Sequence, residues 1–138
     1  MATHDPAALV QLLVLDVDGV LTDGRVMLDH HGHEIKSFSI RDGLGLRVWM
    51  RLGGEVAIIT GRQSLALRHR CAELGIRHIF QAVGEKRAAF GDLLRTLDVA
   101  ASHTAVMGDD LPDLPMLRLA GYPIAVADAV PEVRETAA

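Results

Sequence analysis

An apolar run that ends in two carboxylates constrains the fold of this chain more than any other feature. Residues 12–15 are all aliphatic, and Asp16, Asp18 and Gly19 follow closely after them. A short apolar run closed by a glycine turn is typical of a fully buried strand in a parallel sheet. Ligands of open α/β sheets bind beyond the carboxyl ends of such strands. We therefore expect Asp16 and Asp18 to face a ligand site.

The rest of the sequence predicts strands and helices in alternation. Apolar runs predict four further strands, at residues 56–59, 76–80, 104–107 and 124–127. Helical patterns lie between them, with starts expected near Asp42 (as an N-cap), Ser64, Lys86, Pro112 and Pro131. This alternation is typical of right-handed βαβ units, so we predict an α/β fold with a doubly wound parallel sheet.

One insertion is expected between the first two strands of the sheet. Two partly alternating segments flank Gly32 within residues 25–40, and they predict a β-hairpin. Its three histidines, His30, His31 and His33, are interpreted as a polar tip and are assigned no site. Only this hairpin and one helix fit between Asp16 and Thr60, so we predict one domain over residues 1–138 without a cap domain.

Polar residues suited to phosphoryl transfer follow four of the predicted strands. Thr60 and Gly61 end the second strand of the sheet, Lys86 comes after the third, and Asp109 and Asp110 end the fourth. A doubly wound sheet gathers such residues at one edge. Closely spaced acids favour a hard divalent cation such as Mg²⁺, a threonine and backbone amides suit phosphoryl oxygens, and a lysine stabilises the transition state.

Each of these groups also has a simpler structural interpretation. The first acids could form an Asx turn or a helix cap, Thr60 could cap a helix, and Lys86 could be a solvated residue at a helix start. The later acids could do no more than favour a helix N-terminus, and they are Asp109, Asp110 and Asp113. The joint occurrence of all four groups in this order favours the phosphoryl-transfer interpretation.

The four groups together resemble the motifs of the haloacid dehalogenase (HAD) superfamily of phosphatases. The motifs read Asp16-Val-Asp18-Gly-Val-Leu-Thr, Thr60-Gly61, Lys86 and Gly108-Asp109-Asp110. The resemblance implies that Asp16 forms an aspartyl-phosphate and that Asp18 acts as general acid and base. It also implies a Mg²⁺ ion held by Asp16, the backbone carbonyl of Asp18, and Asp109. Asp110 and Asp113 would support that ion or orient Lys86.

Several further segments resemble, more narrowly, the family of 3-deoxy-D-manno-octulosonate 8-phosphate (Kdo-8-phosphate) phosphatases. They are residues 16–24, the hairpin, residues 38–45 and residues 59–62. This resemblance implies hydrolysis of Kdo-8-phosphate to Kdo and phosphate, a step toward lipopolysaccharide. It implies that the substrate is contacted by Asp18, Ser39, Ile40, Arg41, Asp42, Gly43, Arg47, Thr60, Gly61, Arg62, Arg70 and Lys86. Arginines such as Arg62 and Arg70 suit the carboxylate and phosphate of a sugar acid.

The same resemblance bears on assembly and on the end of the sequence. It implies a homotetramer whose hairpins pack together and in which a neighbouring subunit covers the open site. Members of that family usually continue past the position of Glu135 into a glycine-rich tail, whereas this sequence ends at Ala138. We therefore expect the family's tail to be absent, which affects closure of the site and product release rather than the phosphoryl chemistry.

Three alternative functions remain at this point. One is a phosphatase for another sugar-acid phosphate, such as a nonulosonate 9-phosphate, although related enzymes of that kind tend to carry an acid at the position of Arg62. Another is a phospho-accepting receiver module, in which the lysine follows all the acids, whereas Lys86 precedes Asp109. A third is a subunit that only assembles.

Composition and charge predict which partners the chain lacks. The net charge of −4 offers no footprint for nucleic acid or for an anionic membrane surface. The single cysteine, Cys71, cannot form an internal disulfide, which favours the reducing cytoplasm. The apolar stretch at residues 7–15 lacks a basic start and leads directly into Asp16, so we expect neither a signal peptide nor a membrane span.

Overall fold

The fold is built on a five-stranded parallel sheet, and the strand that ends in the paired acids lies at the centre of that sheet. The computed structural model describes residues 5–138. Its strands are β1 (Leu12–Leu15), β2 (Met27–Leu28), β3 (Glu34–Ile35), β4 (Glu55–Ile59), β5 (His78–Phe80), β6 (Thr104–Gly108) and β7 (Tyr122–Ala125). The sheet has the order β5-β4-β1-β6-β7, which confirms the predicted doubly wound arrangement.

Helices cover both faces of this sheet. They are α1 (Ile40–Arg51), α2 (Leu65–Leu74), α3 (Lys86–Leu97), α4 (Leu114–Leu117) and α5 (Pro131–Thr136), with 3₁₀ turns at Pro6–Leu9, Ala101–His103 and Leu111–Asp113. One core cluster joins Leu15 and Ile58 to α1 and α2, and the other joins Leu12 and Val14 to α3, α4 and α5. Side chains of β1 therefore serve both cores, which is why that strand is apolar throughout.

Strand register brings the polar residues of the four motifs to one edge. Leu15 is aligned with Ile58 on one side and with Met107 on the other, so β1, β4 and β6 end at nearly the same level. Asp16, Thr60 and Asp109 each follow one of these ends. Within residues 5–138 only the hairpin and α1 lie between β1 and β4, so no cap domain interrupts this part of the chain.

The predicted start of α1 was wrong. The helix begins at Ile40 and is capped by Ser39, whose hydroxyl accepts a hydrogen bond from the Asp42 amide at 3.4 Å. Asp42 lies instead in the first turn, where its negative charge interacts favourably with the positive end of the helix dipole. Ser39 is extended, with φ −80° and ψ 128°, which is the conformation that an N-cap residue requires.

Three other predicted boundaries shift for local reasons. β7 begins at Tyr122 rather than Ile124, because an edge strand tolerates Pro123 without losing a hydrogen bond to a second neighbour. β5 begins at His78 rather than Ile76, since the Ile76 amide is used to close α2 by donating to the Cys71 carbonyl. α4 begins at Leu114 rather than Pro112, because residues 111–113 form a 3₁₀ turn.

The predicted hairpin forms as a separate two-stranded sheet. Met27 is aligned with Ile35 and Leu28 with Glu34, and Gly32 has the positive φ of +81° that its turn requires. The apolar residues Val26, Met27, Leu28 and Ile35 are all more than half exposed. Phe38, by contrast, packs against the core cluster beneath α1 and α2.

Two expectations from composition concern the cysteine and membranes. Cys71 lies in α2 and is almost fully buried, and burial raises the pKa of its thiol to about 11. It is therefore a packing residue rather than a nucleophile.

The longest helices, α1 and α3, have 12 residues each, and no helix in residues 5–138 is both long and apolar enough to span a membrane.

Candidate active site

One cavity at the carboxyl edge of the sheet contains residues of all four motifs. Its volume is about 280 Å³, and it lies where β1, β4 and β6 end and α3 begins. It is lined by Asp16, Asp18, Gly24, Thr60, Gly61, Arg62, Lys86, Asp109, Asp110, Pro112 and Asp113. The predicted catalytic and metal-binding residues are therefore in one place, although they are up to 97 positions apart in the chain (16 to 113).

Lys86 lies between two buried carboxylates. It is the first residue of α3, its side chain is only 7% exposed, and Nζ donates to Asp16 Oδ1 at 3.0 Å and to Asp113 Oδ1 at 2.7 Å. Burial acts to lower the pKa of Lys86, but the two carboxylates outweigh it and raise the pKa above its ordinary value. The side chain is therefore a permanent positive charge rather than a solvated residue at a helix start.

Asp113 holds the loop after β6 in place. Its Oδ2 accepts hydrogen bonds from the amides of Asp109 and Asp110, at 3.0 and 3.3 Å. Gly108 must be glycine here, because a Cβ at that position would lie 2.6 Å from the Cβ of Asp113. Asp110 also caps the 3₁₀ turn, since its Oδ1 accepts from the Leu111 amide at 2.7 Å. Asp110 and Asp113 thus lie at the start of a helical turn, as the simpler structural interpretation has it, and Asp113 binds Lys86 in addition.

The acids around Lys86 fit a divalent cation. One carboxylate oxygen from each of Asp16, Asp109 and Asp113 lies within 4.8 Å of the others. Asp109 Oδ1 is buried without a hydrogen-bond partner, and Asp109 approaches Gly19 so closely that a Cβ there would lie 1.9 Å from its Oδ2. A hard cation bound by oxygen would satisfy this oxygen and offset the repulsion between the acids.

Burial and mutual repulsion raise the pKa values of two of these acids. Burial has the largest effect on Asp109, followed by its contacts with Asp16, and its pKa rises to about 7. Burial and then Asp113 raise the pKa of Asp16, which Lys86 partly opposes. Three carboxylates and one ammonium leave the cluster with excess negative charge, which a bound cation would neutralise.

Thr60 does not serve as a helix cap. It is only 2% exposed at the end of β4, whereas α2 begins at Leu65 and is capped by Ser64, whose hydroxyl accepts from the Leu67 amide at 3.2 Å. The Thr60 hydroxyl accepts a hydrogen bond from the Arg62 amide at 3.4 Å. The structural interpretation of Thr60 is therefore wrong, and its side chain lines the cavity.

Sequence reasoning missed two hairpin residues that reach the site. Lys36 forms ion pairs with Asp18 and with Glu34, and Glu34 also pairs with Arg62. The signal was available, because Glu34 and Lys36 are two positions apart and therefore lie on the same face of an extended segment.

The predicted substrate-binding residues of α1 and α2 lie elsewhere. Ile40, Gly43, Arg47 and Arg70 line a second cavity of about 510 Å³ between these helices. Arg70 donates to the Ser39 carbonyl at 3.3 Å, and Arg47 donates to the Glu73 carbonyl at 2.6 Å. Arg41 and Asp42 line a third cavity near Trp49. Within one chain, the predicted substrate contacts thus fall into two groups, of which only one surrounds Asp16.

Known proteins share both the sequence and the fold. The model of the haloacid dehalogenase-like hydrolase family matches residues 76–138. The 3-deoxy-D-manno-octulosonate 8-phosphate phosphatase of Escherichia coli is 48% identical over 122 residues, which are 88% of this chain and 65% of that protein. The Salmonella typhi phosphatase of the same name is 48% identical over 133 residues, 95% of this chain and 71% of that protein. The chain thus spans just under two thirds of the Escherichia coli relative.

A solved structure extends this likeness to three dimensions. The 3-deoxy-D-manno-octulosonate 8-phosphate phosphatase of Moraxella catarrhalis, in complex with a magnesium ion, a phosphate ion and a Kdo molecule, superposes with a TM-score of 0.93. Its sequence is 41% identical, and the match covers 96% of this chain and 76% of that one. Fold and sequence therefore agree on the relationship.

The acid cluster predicts a pH-dependent response to Mg²⁺. Because the pKa of Asp109 rises from 3.8 to about 7 on folding, the folded chain keeps a proton that the unfolded chain releases. Without metal, the free energy of unfolding should therefore fall as the pH rises from about 4 to about 7. Mg²⁺ should raise the melting temperature more at about pH 8 than at about pH 5, because at low pH it competes with that proton.

The variant Asp109→Asn tests this assignment. We expect it to lose most of the Mg²⁺-induced rise in melting temperature and to flatten the pH dependence of the metal-free chain. Asp92→Asn is the matched control, since the Asp92 side chain is exposed on α3. An unchanged Mg²⁺ response in Asp109→Asn, measured by thermal denaturation, would contradict the prediction.

Proposed function

Because the chain belongs to the 3-deoxy-D-manno-octulosonate 8-phosphate phosphatase family of the haloacid dehalogenase-like hydrolases, we propose that it is a Mg²⁺-dependent phosphatase that hydrolyses Kdo-8-phosphate to Kdo and phosphate. The observation that carries this proposal is the buried cluster in which Lys86 contacts Asp16 while Asp109 keeps an unpartnered oxygen. This cluster provides a nucleophile, a fixed positive charge and a place for a cation in one cavity.

Asp16 is the proposed nucleophile. One oxygen of its carboxylate accepts from Lys86, which fixes the side chain at the end of β1. In the reaction its carboxylate attacks phosphorus as the bond to the Kdo 8-oxygen breaks, forming an aspartyl-phosphate. Asp18 gives a proton to the departing oxygen and then takes one from the water that hydrolyses the aspartyl-phosphate. The second step releases phosphate and regenerates Asp16.

The remaining residues bind and neutralise the phosphoryl group. Asp16, Asp109 and the backbone carbonyl of Asp18 are the proposed ligands of Mg²⁺, which would neutralise phosphoryl oxygens and the attacking carboxylate. Thr60 and the backbone at Gly61, which line the same cavity, provide hydrogen-bond donors for phosphoryl oxygens. Lys86 places a positive charge beside the transferred phosphoryl group, and a hydrogen bond to the Asp113 carboxylate holds the lysine side chain in position.

Arg62 is the proposed contact for the sugar acid. Its guanidinium lies at the rim of the cavity with 48% of the side chain exposed, and Glu34 anchors it through an ion pair. A planar guanidinium binds carboxylates through paired hydrogen bonds, which suits the carboxylate of Kdo. We propose that the α1 and α2 group, which includes Arg47 and Arg70, contacts the substrate of a neighbouring subunit.

A homotetramer would explain the exposed side of the hairpin. Val26, Met27, Leu28 and Ile35 are each more than half exposed, and grouped exposed apolar residues are typical of an interaction surface. We propose that the hairpins of four subunits pack together and that each subunit covers a neighbour's cavity.

We also propose that the enzyme is cytoplasmic, because its buried free cysteine suits a reducing compartment.

Removal of the nucleophile should abolish turnover. We expect Asp16→Asn to lower kcat for Kdo-8-phosphate by about 10³-fold or more, because an amide cannot form the aspartyl-phosphate. Phosphate release in the presence of Mg²⁺ is the measurement, with Asp92→Asn as a control that alters only an exposed acid. Undiminished turnover in Asp16→Asn would refute the assignment of the nucleophile.

Arg62 should matter for the sugar acid more than for phosphate. We expect Arg62→Ala to lower kcat/KM for Kdo-8-phosphate by about 10 to 100-fold, and to affect p-nitrophenyl phosphate by only about twofold. Arg68→Ala is the matched control, because Arg68 is an exposed arginine of α2. Equal losses on the two substrates would show that Arg62 does not recognise the sugar acid. A parallel assay with a nonulosonate 9-phosphate would show whether the chain prefers that substrate to Kdo-8-phosphate.

The assembly can be tested on the hairpin itself. Leu28→Asp should convert the tetramer to smaller species, because a buried, unpaired carboxylate opposes packing of the hairpins. Leu65→Asp, at a leucine of α2 that is also exposed, should leave the mass unchanged. Light scattering on eluted fractions measures the mass, and a monomer in the unaltered chain would overturn the tetramer.

A further inference from the structure

Both lysines of the sequence are buried beside the acids of the first motif. The chain has 12 arginines and only two lysines, Lys36 and Lys86. Lys86 contacts Asp16, and Lys36 contacts Asp18 with only 4% of its side chain exposed. An ammonium group is strongly hydrated, so its burial is costly unless it is paired. Each carboxylate of the motif thus has its own buried ammonium, and the one at Asp18 comes from the hairpin.

Lys36 belongs to a closed ring of alternating charges. It contacts Asp18 Oδ1, and its Nζ lies 2.6 Å from Glu34 Oε1. Arg62 contacts Glu34 Oε2 at 2.5 Å, and its Nε lies 3.9 Å from Asp18 Oδ2. Lys36 therefore hydrogen-bonds one oxygen of the Asp18 carboxylate and orients it, whereas the other oxygen, Oδ2, has only the distant guanidinium of Arg62 beside it. Two members of the ring come from the hairpin and two from the ends of β1 and β4.

We propose that Lys36 is a positioning residue, which holds the Asp18 carboxylate in the orientation needed for proton transfer, with Glu34 anchoring Lys36 and Arg62. This inference rests on the proposed function, in which Asp18 protonates the leaving oxygen. Lys36 keeps its own proton throughout. The proton passes from Asp18 Oδ2, the oxygen that Lys36 does not contact, to the departing oxygen as the phosphorus–oxygen bond breaks and the bond to Asp16 forms.

A purely structural role makes a different prediction. If Lys36 only attached the hairpin to the rest of the chain, its loss would lower stability and reduce turnover of every phosphate ester alike. If Lys36 positions Asp18, the fall in turnover on losing Lys36 should depend on how much the leaving group needs a proton. A p-nitrophenolate leaves readily without one, whereas a phenolate is a poorer leaving group and gains more from protonation.

The test compares two aryl phosphates that differ only in the leaving group. We expect Lys36→Met, in the full chain with Mg²⁺, to lower kcat/KM for phenyl phosphate about tenfold more than for p-nitrophenyl phosphate. This parameter reports the steps up to release of the first product, which include the proton transfer from Asp18. Lys36→Arg keeps the positive charge and should recover most of the loss on phenyl phosphate.

Controls separate this role from folding. Arg95→Met removes an exposed cation of α3 and should change neither ester. If Lys36→Met does not fold by circular dichroism, the double variant Glu34→Gln with Lys36→Met removes one charge of each sign and should show the same dependence on the leaving group. Equal losses on both esters, or no loss on either, would overturn the proposal.

The outcome is independent of the substrate assignment. Neither aryl ester contains a sugar acid, so a chain that does not prefer Kdo-8-phosphate would contradict the proposed substrate and still answer the question about Lys36. A leaving-group effect without a preference for Kdo-8-phosphate would support Lys36 alone. If the unaltered chain hydrolyses Kdo-8-phosphate but neither aryl ester, the proposed substrate stands, and an undiminished kcat/KM for Kdo-8-phosphate in Lys36→Met would overturn the role of Lys36.

Discussion

The rest of the site depends on one buried ammonium held between two buried carboxylates. Lys86 contacts Asp16 at the end of β1 and Asp113 in the turn after β6, so it ties together three segments that are distant in the chain. Loss of Lys86 would leave two buried carboxylates without a counter-charge. The contact therefore holds the Asp16 carboxylate, the proposed nucleophile, and through Asp113 it also holds the backbone of Asp109.

The same interaction explains why the site suits a metal ion. Lys86 provides one positive charge against the three carboxylates of Asp16, Asp109 and Asp113, so the protein does not balance its own charges there. Asp109 is left with a buried oxygen that no donor satisfies. A divalent cation completes the arrangement, and a phosphate dianion can then enter a cavity that would otherwise repel it.

The sheet and the hairpin have different parts in the proposed reaction. The ends of β1, β4 and β6 hold the groups proposed to act on phosphorus, on strands that are buried on both faces. The hairpin contributes Glu34 and Lys36, which contact Arg62 and Asp18, the residues proposed to bind the sugar acid and to protonate the leaving oxygen. An insertion at this place can therefore alter recognition of the substrate while leaving the phosphoryl chemistry unchanged.

The sequence by itself determined the sheet, the hairpin and the grouping of the four motifs, because buried parallel strands must be apolar and their carboxyl ends must meet at one edge. It could not place Lys36 beside Asp18, nor separate Arg47 and Arg70 from the cavity around Asp16, because local periodicity carries no information on how a hairpin or a helix pair packs against the sheet. It also misplaced the start of α1, since Ser39 and Asp42 are both good capping residues. Only the tertiary structure decided these contacts, because each depends on side chains brought together from distant parts of the chain.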